Sequence, residues 1–321
     1  MKMSILRSRK SVFFDLKVPV IICIFKRFES TKEVLETVKS YAPNQLFVVA
    51  DGPRNKDEAV KCYKTRRLFD DVGWPCQVYT NFSEENLGGK ARVSSGISWA
   101  FKHVDKAIIL EDDCMPSQDF FAFCAELLTK YAEEPKVMQI AGSNVQYGRQ
   151  RTKYSYYFSN YPLCWGWATW RRAWKHFDID IKAWPKARKK NLLKTVLNHS
   201  RAETYWTKLF QDIYDGRVKH GWDYRWTLAC WLQEGLTITP EKNLVANIGN
   251  TNDATHMQHK SSHLIDLTVD SLEFPLKHNP IIEKESRADA FTFDAYYSSP
   301  LLWKLSRKSK KMIGLDLKNP W

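Results

Sequence analysis

The segment Ala107-Ile108-Ile109-Leu110-Glu111-Asp112-Asp113 runs from four apolar residues straight into three carboxylates. Ala-Ile-Ile-Leu has the length and branching of a buried strand, and the carboxyl end of such a strand is where open α/β sheets hold their ligands. Three carboxylates at one strand end repel one another, and packing gives no reason for them. A hard divalent cation, held by oxygen ligands and carrying phosphate oxygens on its other side, would turn that repulsion into binding. The pattern points to a metal–nucleotide site in which a metal-bridged diphosphate becomes a better leaving group. A solvated acidic turn is the plainer reading of an isolated triplet; the strand before it and the Pro116 turn after it favour the site.

Other polar residues fall at the ends of neighbouring predicted elements. Arg27 follows the apolar run 18–25, placed to pair with phosphate or to frame a base. Asp51 ends the run 46–50, where a carboxylate accepts from a base N–H or a ribose hydroxyl, although an Asp-Gly turn needs no ligand. Asn86, Lys90 and Arg92 surround the Gly-rich loop Asn86-Leu87-Gly88-Gly89 at a helix entry, where backbone N–H groups and cations meet anions. Asp223, between Trp222 and Tyr224, is a carboxylate whose partial desolvation would raise its basicity, fitting a general base; an N-cap is the alternative.

The elements that must position these groups follow from periodicity. Strands are predicted at 18–25, 46–50, 76–80, 107–110 and 137–141, with a strand or strand pair in 236–248. Helices are predicted at 30–41, capped by Ser30 with Glu33 three residues on, at 56–69, from the Gly-rich loop to about 103, and from past 119 to about 134. A further helical, basic stretch covers 183–214, and a helix opens at Gly221 and ends at Gly235. This alternation predicts an α/β fold with a mostly parallel sheet flanked by helices. No repeat or low-complexity linker divides the chain. A single domain is expected over 18–300, with a nucleotide half at about 18–150 and a second half at about 151–300 that the resemblance described below makes the acceptor half. A basic N-terminal tail, 1–17, precedes it and a basic amphipathic C-terminal tail, 301–321, follows.

With 321 residues, 44% hydrophobic and 26% charged, the chain has globular composition and length enough for a large core. Its 13 Trp suit sugar stacking or, more plainly, an aromatic core. The net charge of +13 implies acidic partners such as nucleotide phosphates or an anionic membrane; without a zinc-finger, RNA-recognition or basic-zipper pattern, no nucleic acid is expected. Seven Cys at irregular spacing, without a CxxC pair, match a reducing compartment. Residues 1–17 lack a signal-length apolar core, and no apolar run reaches the roughly 20 residues that span a bilayer, so a cytoplasmic protein is expected. The tail sets Trp303 and several Leu among Lys304, Arg307, Lys308, Lys310 and Lys311, which could lie on anionic lipid at the inner face of a membrane or remain a solvated tail.

Val20 to Arg27, then Ala50-Asp51, then Ile109 to Asp113 with Asp119-Phe120-Phe121, resemble a nucleotide-sugar glycosyltransferase of the GT-A fold. The likeness is to the N-acetylglucosaminyltransferase I group and to bacterial family 2-like glycosyltransferases, over about 18–256. It implies that Asp113 ligates Mn²⁺ (or Mg²⁺), Asp112 meets the ribose or the metal shell, Glu111 holds the donor sugar, Asp51 reads uracil and Arg27 lies near the nucleotide. It also implies that Gly166, Trp167 and Trp222 line the sugar or acceptor, that Asp223 is the base of an inverting transfer, and that His256 closes the metal shell, with Asp253 a weaker ligand. Cys114-Met115 departs from the family's usual residues after the triplet. The function implied is transfer of a sugar from a UDP-sugar to a glycan or lipid-linked acceptor in surface polysaccharide biosynthesis. Two alternatives stand beside it. A sugar nucleotidyltransferase needs a Gly-rich signature that Phe25-Lys26-Arg27-Phe28-Glu29 lacks, and a non-catalytic carbohydrate- or membrane-binding protein leaves the acidic triplet, Asp51 and Asp223 without a role.

Overall fold

The computed structural model describes residues 17–249 and 267–298. His256 and Asp253, the N-terminal tail but for Lys17, and the C-terminal tail lie outside these. The first half alternates β1 (Val20–Ile24), α1 (Phe28–Tyr41), β2 (Gln45–Ala50), α2 (Lys56–Arg66), β3 (Gln77–Phe82), α3 (Gly88–Ala100) and β4 (Lys106–Glu111). Then come β5 (Cys114–Pro116), α4 (Gln118–Lys130), β6 (Val137–Ala141), β7 (Tyr156–Ser159), β8 (Trp167–Trp170) and α5 (Arg171–Trp174). The remainder is α6 (Trp184–Lys189), α7 (Leu192–Leu197), α8 (Ser200–Tyr214), α9 (Trp222–Leu232), β9 (Leu236–Pro240), β10 (Val245–Asn247) and α10 (Ser286–Thr292), which runs into a π-helical turn, Phe293–Tyr297.

Eight strands form one sheet in the order β3-β2-β1-β4-β8-β6-β9-β7. The first four pair in parallel; β8 runs against both β4 and β6, β9 is parallel to β6, and β7 is antiparallel to β9. The fold is thus the predicted α/β type, a mostly parallel sheet with helices on both faces. It brings the carboxyl ends of β1, β2 and β4, with Arg27, Asp51 and the acidic triplet, to one edge.

Strand alternation divides the core. Val20, Ile22 and Ile24 face α1 and α4, where Val34, Val38, Phe121 and Leu127 pack. Ile21 and Cys23 face the opposite layer, with Ile97 of α3 and the tryptophans Trp167, Trp174, Trp206, Trp222, Trp226 and Trp231. Trp167 stacks on Trp222 with centroids 5.7 Å apart, and Trp174 meets Trp226 at 5.1 Å. The aromatic richness is therefore spent on a core.

Two helix boundaries depart from expectation. α1 starts at Phe28, with Arg27 in the N-cap position and no side-chain cap. Ser30 lies inside the first turn with its buried hydroxyl unpartnered, so the expected capping box does not form. The predicted helix over 183–214 is three helices, separated at Asn191 (φ 54°) and Asn198 (φ 47°), residues whose short amide side chains tolerate left-handed backbone.

Gly166 opens β8 at the site edge with φ 60°, and a Cβ there would fall 2.7 Å from Val245 Cγ2. Gly166→Ala should therefore lower stability by about 1–3 kcal/mol through backbone strain and overpacking, read as a lower urea midpoint at unchanged slope.

Candidate active site at the carboxyl edge of the sheet

Glu111 ends β4 opposite Cys23 of β1, and Asp112 and Asp113 continue past the sheet. The turn that follows is fixed by the two-stranded β5–β10 ribbon, and Ile248 N–H donates to the Asp113 carbonyl at 2.8 Å. Asp112 Oδ2 accepts from Phe25 N–H at 3.1 Å, and its Oδ1 accepts from Arg27 Nη1 at 2.9 Å. The same Nη1 donates to Asp113 Oδ2 at 2.6 Å. The N-cap position of Arg27 thus serves the site, because the chain leaves β1 there and its side chain spans both aspartates.

Electrostatics reflect the crowding. Burial, with Asp113, Asp112 and Asp223 adding, pushes the Glu111 carboxyl up to about 8. Burial also raises Asp112, against the pull of Arg27. Asp223 stands in the first turn of α9, whose N-cap is Gly221 at φ 78°, so the N-cap alternative for Asp223 is excluded. Its charge is felt by Glu111, Cys164, Tyr224, Tyr296 and Tyr297, so the α9 carboxylate lies within electrostatic reach of the end of β4. Residues from the two halves of the chain therefore approach one another here. Tyr296 and Tyr297 come from the π-helical turn; Tyr296 makes an edge contact with Trp165 at 6.0 Å. No sequence pattern marks these two tyrosines as neighbours of Asp223.

Asp51 is filled by its own surroundings. Its Oδ1 accepts from Gly52 N–H (2.9 Å) and Leu87 N–H (2.8 Å), its Oδ2 from Gly88 N–H (2.9 Å) and Asn86 Nδ2 (3.2 Å). With these donors its acceptor sites are occupied, and the carboxylate ties the Gly-rich loop to β2. Asn86 also donates to the Gly52 carbonyl at 2.7 Å, completing that tie. Lys90, in the first turn of α3, is half-exposed.

Three expected contacts are corrected. Arg92 is buried and donates to the Ala50 carbonyl at 3.0 Å and to Asn81 Oδ1 at 2.6 Å, so it joins the ends of β2 and β3 instead of facing a nucleotide. Trp167 and Trp222 are 1% and 7% exposed and stack on each other, leaving no ring face for a sugar. Both belong to the aromatic core layer. Sequence reading also passed over Glu58. It accepts from Arg54 Nε at 2.9 Å, from Lys26 Nζ at 2.9 Å and from Arg54 N–H at 3.0 Å, and these contacts, the Arg54 guanidinium first, hold its carboxyl below the usual range.

The donor set suits a hard divalent cation. Asp112 and Asp113 offer carboxylate oxygens, and Gly249 leaves room that a side chain would fill, since a Cβ there would come within 2.3 Å of Asp113 Oδ2. Among the described residues no three His, Cys, Asp or Glu side chains form a ready-made cage, so remaining ligands would come from phosphate and water.

No protein-family model and no curated protein matches the chain. Solved structures similar to it include an active-site mutant of LgtC, at 12% identity over 89% of this chain and 99% of that one, with a TM-score of 0.37. Another is galactosyltransferase LgtC in complex with donor and acceptor sugar analogs, at 12% identity, the same coverage and a TM-score of 0.34. A third is UDP-glucose pyrophosphorylase complexed with UDP-glucose, at 10% identity and a TM-score of 0.26; the match covers 45% of this chain and spans 63% of the pyrophosphorylase. Likeness this distant carries no residue-level argument, and the site's chemistry rests on its own geometry.

Two outcomes follow. The Glu111 carboxyl in the folded protein titrates above its ordinary 4.5, so the native state retains a proton that the unfolded chain has lost between pH 4.5 and about 8. Stability of the metal-free protein should fall as pH rises through that window, and Glu111→Gln should flatten the slope of melting temperature against pH; equal slopes would contradict this. Asp51→Asn, which turns an amide nitrogen toward N–H donors, should cost about 1–3 kcal/mol and speed proteolysis in 84–89.

Proposed function

We propose that the chain is a metal-dependent glycosyltransferase that moves a sugar from a UDP-sugar to a glycan or lipid-linked acceptor by an inverting displacement. The observation that carries this reading is an acidic triplet at the carboxyl edge of a mostly parallel sheet, with a further carboxylate, Asp223 of α9, within electrostatic reach of Glu111. One group of carboxylates suits the cation and diphosphate, and a separate carboxylate suits the acceptor proton. A purely binding protein needs no such division.

Asp112 and Asp113 would hold Mn²⁺ or Mg²⁺, which when bound supplies Lewis-acid stabilisation of the departing diphosphate. Arg27 adds a permanent positive charge at the same place. Glu111 keeps its proton at neutral pH in the metal-free protein, so it can donate as well as accept a hydrogen bond to a sugar hydroxyl. In the transfer, the acceptor oxygen attacks the anomeric carbon from the side opposite the diphosphate. The carbon–oxygen bond to the diphosphate breaks with its electron pair leaving on the phosphate oxygen, and Asp223 takes the acceptor proton. Half-buried Trp165 and Tyr296, not the core pair Trp167 and Trp222, are the aromatics available to frame the acceptor. Among the described residues no helix is long and apolar enough to cross a membrane. The resemblance in the sequence supports surface polysaccharide as the setting, with a location at the inner membrane face if the C-terminal tail engages lipid.

Incubation with a panel of nucleotide sugars and Mn²⁺ should release UDP and free sugar slowly; pyrophosphate formed from UTP and a sugar 1-phosphate would instead identify a nucleotidyltransferase. Asp223→Asn should lower transfer at least about 10²-fold while UDP binding by calorimetry changes less than threefold, since a positioned base contributes about 10²–10⁴. Loss of both together would contradict the assignment.

A further inference from the structure

We infer that Arg27 is the resident counter-cation of the acidic site, and that a divalent cation enters by exchange with it. The inference rests on the glycosyltransferase reading only in taking Asp112 and Asp113 as the cation's ligands. One guanidinium nitrogen lies 2.9 Å from Asp112 Oδ1 and 2.6 Å from Asp113 Oδ2, the two side chains that offer hard oxygens. All three are largely enclosed, with side-chain exposures of 15%, 8% and 15%.

The arrangement is built from both sides. The Arg27 carbonyl accepts from Thr31 N–H (3.0 Å) and Thr31 Oγ1 (2.5 Å), which pins the main chain at the start of α1. Phe25 N–H holds the other oxygen of Asp112, so that carboxylate cannot turn away from the guanidinium. Gly249 passes so close to Asp113 Oδ2 that a Cβ there would fall 2.3 Å from it, so only a glycine leaves this oxygen free for a cation. A Mn²⁺ or Mg²⁺ ion bound by the same oxygens at about 2.1 Å would sit within a few ångströms of the guanidinium, so the two cations compete. The guanidinium is charged at every physiological pH, is weakly hydrated and matches phosphate with a forked pair of hydrogen bonds. Released from the aspartates, it is poised for the diphosphate that arrives with the donor. The site would be neutralised by Arg27 when empty and would hold the leaving group with the same residue when loaded, coupling metal and nucleotide binding reciprocally.

The test is Mn²⁺ titration of nucleotide-free protein by electron paramagnetic resonance, with melting curves, for wild type, Arg27→Gln and Arg27→Lys. Arg27→Gln should bind Mn²⁺ at least tenfold more tightly, melt several degrees lower without metal, and gain more from Mn²⁺ than wild type does. It should bind UDP more weakly at saturating Mn²⁺. An arginine with a structural role alone would lower metal-free stability and Mn²⁺ affinity together, so unchanged or weaker Mn²⁺ binding in Arg27→Gln overturns the inference, as does the absence of Mn²⁺ binding in both. Should Arg27→Gln fail to fold, Arg27→Lys, which keeps the charge and loses the fork, should match wild-type Mn²⁺ affinity within threefold while weakening UDP; a tenfold change in its Mn²⁺ affinity overturns the inference. Tighter Mn²⁺ binding in Arg27→Gln with no UDP binding in any protein would retain the exchange and remove the glycosyltransferase reading.

Discussion

Carboxylate crowding at the end of β4 is the constraint around which the rest is arranged. Glu111, Asp112 and Asp113 sit side by side where the sheet stops, with Asp223 approaching from α9. In the metal-free chain the Arg27 guanidinium offsets part of this repulsion, and a proton retained on Glu111 offsets more. Removing one partner from an enclosed pair of this kind typically costs about 3–5 kcal/mol, because the remaining charge stays desolvated. The oxygen-seeking cation with phosphate proposed above would relieve this crowding.

The surrounding fold makes the constraint tolerable. Parallel pairing of β1 with β2 and β4 puts Arg27, Asp51 and the triplet on one edge. The tryptophan layer beneath gives that edge a rigid floor. Trp226 Nε1 donates to Gln139 Oε1 at 2.6 Å and Trp231 Nε1 to the Asn160 carbonyl at 2.6 Å, so these two buried indoles are anchored as well as packed. Asp51 and Arg92 do the corresponding task at the β2–β3 end of that edge by tying the Gly-rich loop and the ends of β2 and β3. Residue types that could have met ligand directly are spent on holding the loops in place.

Much of the fold was legible because strand and helix periods are local. The run 137–141 and the core of 107–110 emerge as strands, and 56–69 as a helix whose last turn tightens to a 3₁₀ turn. What escaped is set by tertiary contact. α1 begins ahead of Ser30 because Arg27 is drawn to Asp112 and Asp113, 85 and 86 residues away in the chain. The breaks at Asn191 and Asn198 depend on backbone conformations that helical composition conceals. In the site, carboxylates at strand ends were readable from the apolar runs before them. Trp167 and Trp222 were not, since a buried indole and a sugar-stacking indole have the same local pattern. Tyr296 and Tyr297 come within electrostatic range of Asp223 through the turn after α10.

The most direct test of the cation at Asp113 is anomalous diffraction from crystals grown with UDP and soaked in MnCl₂. The account predicts a manganese peak within coordinating distance of an Asp113 oxygen, with diphosphate oxygens on its far side and the Arg27 guanidinium moved off the aspartates. A nucleotide bound with no manganese peak at Asp113, and Arg27 still bridging the two carboxylates, would contradict it.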